Sequence, residues 1–241
     1  MVRGAPPEFA VNIYLSQVGK GGLPPPGIHN APTPVSWYPS PMARKWSNRN
    51  LPGALHFVTG NVADRIPAFG EAGSCDAFIQ VCAALRDSRP FKLIAYVLMP
   101  DHAHMIVNPR DGRIRELTAA IKSLSAQAII KTSTDSSFLR EKPDDACAIH
   151  QVWQESFKAF PLWSDWLIWQ KINYIHNNPL KARLVKSASD YRWSSFRSFF
   201  FDETDPIKVD KEWWWPDDVQ KLAKAAAEWS AEMKQATVKK G

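Results

Sequence analysis

The chain has only three cysteines in 241 residues, Cys75, Cys82 and Cys147, and no Cys-x-x-Cys spacing. That pattern suggests neither a disulfide framework nor a zinc ribbon, and a reducing compartment fits it best. Cys75 and Cys82 fall in an apolar-periodic segment and read as core residues. Long hydrophobic runs are also missing. Nothing approaches the roughly 18 apolar residues of a membrane helix, and the opening M-V-R-G-A-P-P-E-F-A has no apolar core of the signal-peptide kind. The expectation is a cytoplasmic protein with no membrane partner. No phosphate-binding glycine loop, Ser-His-Asp spacing, Cys/His zinc pattern or internal repeat is found, so a nucleotide cofactor is not expected. What the chain does have is an ordinary 45% hydrophobic content, a net charge of +6 and a pI near 9.2, which point to a folded domain with a polyanionic partner.

Nine of the nineteen prolines lie in residues 1–50, where hydrophobic periodicity is absent, so this part reads as a flexible extension. Residues 51–200 read as the working domain, and residues 201–241 as a linker followed by an amphipathic helix. Within the domain, A-L-H-F-V-T-G from Ala54 reads as the first strand, and His56 on it reads as structural. A helix follows, with Ser74 as its cap and Phe78, Val81, Cys82 and Leu85 on one face. Phe91 to Met99 and His102 to Val107 form a tight hairpin around Pro100-Asp101. The next helix spans about Arg113 to Thr132 with a buried stripe of Ile114, Leu117, Ile121, Leu124 and Ala128; Lys122 lies off it. Thr132 to Ala148 is polar and reads as a surface loop, and Val152-Trp153-Gln154 as a short strand. Asp205 to Trp215 reads as an acidic, aromatic linker.

Two local patterns carry chemistry. In the second hairpin strand, His102 and His104 are separated by one residue, and alternation of strand side chains puts both on one face. Such a pair suits a metal ion, since imidazole ligates several divalent metals, although two hydrogen-bonded structural histidines would give the same spacing. The second pattern is a helix that starts near Pro161, is capped by Ser164 or Asp165, and stops at Asn177 or Asn178 before Pro179. Ile168, Trp169, Ile172 and Ile175 form its apolar stripe. Tyr174 falls outside that stripe among Leu167, Gln170, Lys171 and Asn178, with Asn178 one turn further along the same face. His176 points elsewhere. Beyond it, Lys181, Arg183, Lys186, Arg192 and Arg197 alternate with Tyr191, Trp193 and Phe196, a mixture suited to single-stranded nucleic acid. Lys122, Lys181, Arg183 and Arg192 are the candidate nucleic-acid contacts.

Met99-Pro100-Asp101-His102-Ala103-His104 resembles the Met-Pro-x-His-hydrophobic-His block of HUH single-tyrosine transposases. Tyr174-Ile175-His176-Asn177-Asn178-Pro179-Leu180-Lys181-Ala182 resembles their tyrosine helix. His56-Phe57-Val58-Thr59, Val152-Trp153-Gln154 and Asp190-Tyr191-Arg192-Trp193-Ser194-Ser195 are similar to the branch called REP-associated tyrosine transposases. The five blocks occur in the expected order over about residues 50–200. The resemblance implies an α+β fold, HUH or ferredoxin-like, with a central antiparallel sheet flanked by helices. It implies metal-dependent cleavage and strand transfer of single-stranded DNA near hairpins of palindromic repeats, acting at the nucleoid as a monomer or homodimer. Carried over by position, Tyr174 is the catalytic nucleophile, forming a 5′-phosphotyrosine, and His102, His104 and Asn178 are ligands of a divalent metal, Mg or Mn. One departure is local: after Lys181-Ala182 the family usually has glycine, and this chain has Arg183. Two other functions also use these residues: a zinc hydrolase with a third histidine, and a non-catalytic binder of repeat hairpins.

Overall fold

A computed structural model describes residues 48–133, 140–141, 150–162 and 164–238. The readings made for the Pro-rich extension up to residue 47, for most of the loop before Ala148 with Cys147, and for the tail at Lys239-Lys240 lie outside these residues. The centre is a four-stranded antiparallel sheet of β1 (Leu55–Asn61), β2 (Phe91–Met99), β3 (His102–Pro109) and β6 (Lys158–Leu162), in the order β2-β3-β1-β6. Arg140–Glu141 (β4) and His150–Gln151 (β5) form a separate two-stranded ladder. The helices are α1 (Ala72–Ser88), α2 (Ile114–Thr132), α3 (Asp165–Lys181), α4 (Phe196–Phe201) and α5 (Asp218–Val238). This is the expected α+β architecture, a central antiparallel sheet flanked by helices. Among the described residues no helix is long and apolar enough to cross a membrane.

The β2–β3 hairpin forms where expected, with Met99 paired to His102 across Pro100-Asp101. One face of the sheet meets α1 and α2 through Trp153, whose ring packs against Phe69 and Phe78 and lies 3.2 Å from where a Cβ on Gly60 would stand. The opposite face, carrying the histidines, meets α3. The α2 stripe differs from the one expected: Ile114, Leu117 and Ile121 are buried, but Leu124 is 41% exposed, and Ser125 and Ile129 take the inner positions. A polar residue wins there because the Trp153 indole N–H, itself buried, donates to Ser125 Oγ at 3.0 Å. Likewise Ser74 does not cap α1. The helix is already under way at Ala72, and Ser74 sits buried on its inner face.

The strand expected at 152–154 is reduced to a single bridge between Val62 and Trp153, while β6 occupies the stretch where a helix was expected to begin. Pro161 disguised β6. A proline cannot donate to a ladder, but β6 is an edge strand, so one side needs no donor. Helix α3 then starts at Asp165, with Ser164 Oγ accepting from the Leu167 N–H at 3.2 Å.

Helix α3 does not stop at Asn178. It runs through Pro179 to Lys181, and its end is closed by Arg183 N–H to Leu180 O and Leu184 N–H to Pro179 O, both 2.9 Å. That pair is the Schellman arrangement, which needs a left-handed residue at its turn, and Arg183 supplies it at φ 60°. The missing glycine therefore leaves the turn intact at a steric cost. Arg183→Gly should relieve about 1 kcal/mol of that cost, less a few tenths for added chain entropy. A small rise in urea midpoint with unchanged helicity would show it; a fall would mean the arginine side chain stabilises the turn.

The expected linker from Asp205 to Trp215 is part of the domain. Ile207, Val209 and Trp213 are buried, and Asp210 pairs with Leu93 through both its backbone N–H and its carboxylate, at 2.8 and 2.7 Å. Upstream, Trp193 O accepts from Leu98 N–H, and Ser195 N–H donates to Tyr96 O. Together these segments cover the open edge of β2, which would otherwise present unpaired backbone groups. Asp218, fully buried at the start of α5, accepts from Asn108 Nδ2 and from Trp215 N–H, both at 2.6 Å, tying that helix to the far end of β3.

Candidate active site

The register of β1 against β3 sets Asn61 opposite His102 and Thr59 opposite His104, so these side chains share one face of the sheet. Helix α3 crosses that face, burying Ile168, Trp169, Ile172 and Ile175 as its sequence requires. Tyr174 stays 37% exposed, and its hydroxyl shares a 3.3 Å hydrogen bond with His104 Nε2. The two imidazole rings are 4.8 Å apart between centroids. A strand pair and a helical tyrosine, seventy residues apart in the chain, thus form one site.

Each histidine is held through Nδ1. His102 is bonded to Asp101 Oδ1 at 2.5 Å, and His104 to Thr59 Oγ1 at 2.9 Å. Asp101 is in turn bonded by Arg65 at 3.1 Å. Burial acts to raise the Asp101 pKa, but the hydrogen bond and charge of His102, followed by those of Arg65, hold it below the usual carboxylate range. His104 lies against the buried ring of Phe57, with centroids 5.3 Å apart. Its pKa is pushed down to about 3, first by burial, then by the charges of His102, Lys171 and Arg65. The ring is therefore neutral at physiological pH. Two imidazoles anchored at Nδ1 leave Nε2 as the ligating atom of each, with a carboxylate or hydroxyl behind it, the usual arrangement around metal-binding histidines.

Asn178 lies one turn after Tyr174, in helical backbone, its carbonyl accepting from Ala182 N–H at 3.0 Å. Its Nδ2 is buried without a hydrogen-bond partner. That atom is a donor, which suits a phosphate oxygen; metal ligation would fall to Oδ1 of the same amide. Among the described residues no group of three or more His, Cys, Asp and Glu is placed to hold a metal ion. His56 is buried on β1 against Ala54 O, and His176 is buried against Ser195 Oγ at 2.9 Å.

The four candidate nucleic-acid cations are placed differently. Lys181 stands over the Tyr174 ring, 5.6 Å from its centroid. Arg183 is exposed at the end of α3. Arg192 stacks over Trp193 and pairs with Asp205. Lys122 points inward: its ammonium donates to the carbonyls of Gln154, Glu155 and Ser156, so its surroundings support a staple for that loop rather than a DNA contact. Sequence reasoning missed Thr59, Phe57 and Asp101 as supports and Lys171 as a site cation. Thr59 could have been found from strand alternation once the register was known, and Lys171 from its place three residues before Tyr174.

A family described as "Transposase IS200 like" matches residues 55–178. A Haemophilus influenzae protein assigned by name as a REP-associated tyrosine transposase is 25% identical over 151 residues, 60% of this chain and 80% of that protein. The REP-associated tyrosine transposase of Escherichia coli is 24% identical over 112 residues, 46% of this chain and 58% of its own length. Among solved structures, a REP-associated tyrosine transposase bound to a REP hairpin matches with a TM-score of 0.50 at 22% identity, covering 62% of this chain and 80% of that one. That likeness carries the fold.

Proposed function

The chain belongs to the IS200-like transposases, and on that premise we propose that it cuts and rejoins single-stranded DNA beside palindromic-repeat hairpins, with Tyr174 as the nucleophile. The observation that carries this reading is the meeting of the half-exposed Tyr174 Oη with the buried His104 Nε2, 3.3 Å apart, where helix α3 crosses the sheet. The hairpin substrate follows from the names of the relatives and from the REP hairpin bound in the similar structure.

A phenol is a weak nucleophile near neutral pH, so the site has to bind and polarise the phosphate it attacks. His102 and His104, with Asn178, would hold Mg or Mn, which when bound supplies Lewis-acid polarisation of the scissile phosphate. Tyr174 Oη attacks phosphorus in line, its new O–P bond replacing the bond to the 3′ oxygen. The 5′ phosphate is left on the tyrosine and a 3′ hydroxyl is released. The proton lost by Tyr174 is balanced by the one gained at the 3′ oxygen. A second 3′ hydroxyl can reverse the step, giving strand transfer without a nucleotide cofactor. The hydrolase alternative needs a third histidine at this site; of the histidines whose side chains are described, His56 and His176 are both buried elsewhere.

The test is covalent capture. Wild-type protein, Mn and a hairpin oligonucleotide labelled on the 3′ side of the cut should give an SDS-resistant labelled protein band. Cleavage with no labelled protein would sink the proposal. The metal is tested separately: Asp101→Asn should weaken Mn binding about 10–100-fold, as read by calorimetry on the free protein, because it removes the carboxylate that orients His102. Unchanged affinity would mean that His102 does not ligate.

A further inference from the structure

Lys171 is set apart from the other half-buried cations of the domain. Lys122 spends its protons on three carbonyls, and Arg86 is paired with Asp210 at 2.6 Å. Lys171 has aromatic walls instead: its ammonium lies 4.8 Å from the centre of the Phe57 ring and 5.7 Å from that of Tyr174. Among the described residues it has neither a carboxylate nor a carbonyl partner. Cation–π contact fixes where the charge sits and contributes about 0.5–2 kcal/mol, but it accepts none of the three N–H bonds. Burial depresses the lysine's pKa, and an unpaired ammonium withdrawn from water is costly unless an anion arrives.

The anion with reason to arrive is the one Tyr174 attacks. Lys171 is three residues before Tyr174, so both project from the same side of α3. Lys181 flanks the tyrosine ring as well, 5.6 Å from its centroid, but it is exposed and its charge is well solvated. A cation partly shielded from water interacts more strongly with charge that builds up beside it.

Resting on the proposed strand-cleavage reading, we infer that Lys171 is a catalytic residue: its ammonium touches a non-bridging oxygen of the scissile phosphate and offsets the charge gathering there as the Tyr174–phosphorus bond forms and the bond to the 3′ oxygen breaks. It takes no proton and forms no bond. Its contribution is electrostatic and falls mainly on the transition state.

The experiment measures single-turnover adduct formation by wild type, Lys171→Met and Lys171→Arg on a natural hairpin oligonucleotide and on one with a neutral methylphosphonate at the cut. Methionine keeps the length and apolar stem, and equal thermal midpoints establish that each variant is folded. On the natural strand, Lys171→Met should be slower by on the order of 10²-fold, with oligonucleotide affinity changed less than about threefold and much of the rate restored by arginine. On the methylphosphonate, the wild type should lose its advantage over Lys171→Met. An equal slowing on both substrates would assign Lys171 a structural role and overturn the inference, as would an unchanged rate on the natural strand; the cleavage reading would survive either. Failure of wild type to form any adduct would overturn that reading and this inference together.

Discussion

Tyr174→Phe is expected to lower covalent adduct formation by about 10⁴-fold or more, to background, because the attacking oxygen itself is removed. The substitution is mild for the fold. It deletes one 3.3 Å hydrogen bond to a half-exposed hydroxyl and keeps the ring contacts with Phe57 and His104, at 5.9 and 5.1 Å between centroids. Stability should therefore change by less than about 1 kcal/mol, and hairpin affinity hardly at all. Substitution by another described tyrosine is not available: Tyr96 is buried, and Tyr191 donates to Leu98 O at 2.7 Å with its pKa pushed up to about 12 by burial and by the neighbouring Cys75. Retained adduct in Tyr174→Phe would refute the assignment, whereas a variant that binds DNA and forms none would leave the chemistry on this one oxygen.

Acid should weaken the fold through two histidines outside the proposed chemistry. His56 is held neutral by burial, with a pKa pushed down to about 4 despite opposing hydrogen bonds to the Ala54 and Arg49 backbone. His176 is pushed down to about 3, again first by burial and then by the charge of Lys211; it lies among Phe196, Phe199 and Phe200. In the unfolded chain each would titrate near 6.5. Above that value both states are neutral and pH has no leverage on these residues. Below it the unfolded chain binds protons that the fold refuses, so stability falls as pH falls, levelling off only near 4 for His56 and near 3 for His176. Between pH 7.5 and 4.5 the two together should cost on the order of 5 kcal/mol, a large share of a domain's usual stability. His104 acts in the same direction. Urea midpoints across this range are the measurement. His56→Gln should lose about 1.4 kcal/mol per pH unit of the wild-type slope between pH 6 and 5; a parallel curve would exonerate the histidine.

The sequence by itself determined whatever depends on neighbours within a turn of helix or a pair of strand residues. Strand alternation put His102 and His104 on one face, helical periodicity kept Tyr174 off the stripe of Ile168, Trp169, Ile172 and Ile175, and the cap of its helix was narrowed to Ser164 or Asp165, of which the structure uses Ser164. Family likeness then joined the histidines to the tyrosine, which local rules could not do. The tertiary structure alone decided what each polar group meets across long separations: Thr59 behind His104, Lys122 on the carbonyls of residues 154–156, Lys171 between two aromatic rings, and residues 207–213 folded onto the edge of β2. A lysine or a short charged segment carries no local preference for any of these fates, because their energies come from desolvation and from partners that only the folded chain brings within a few ångströms.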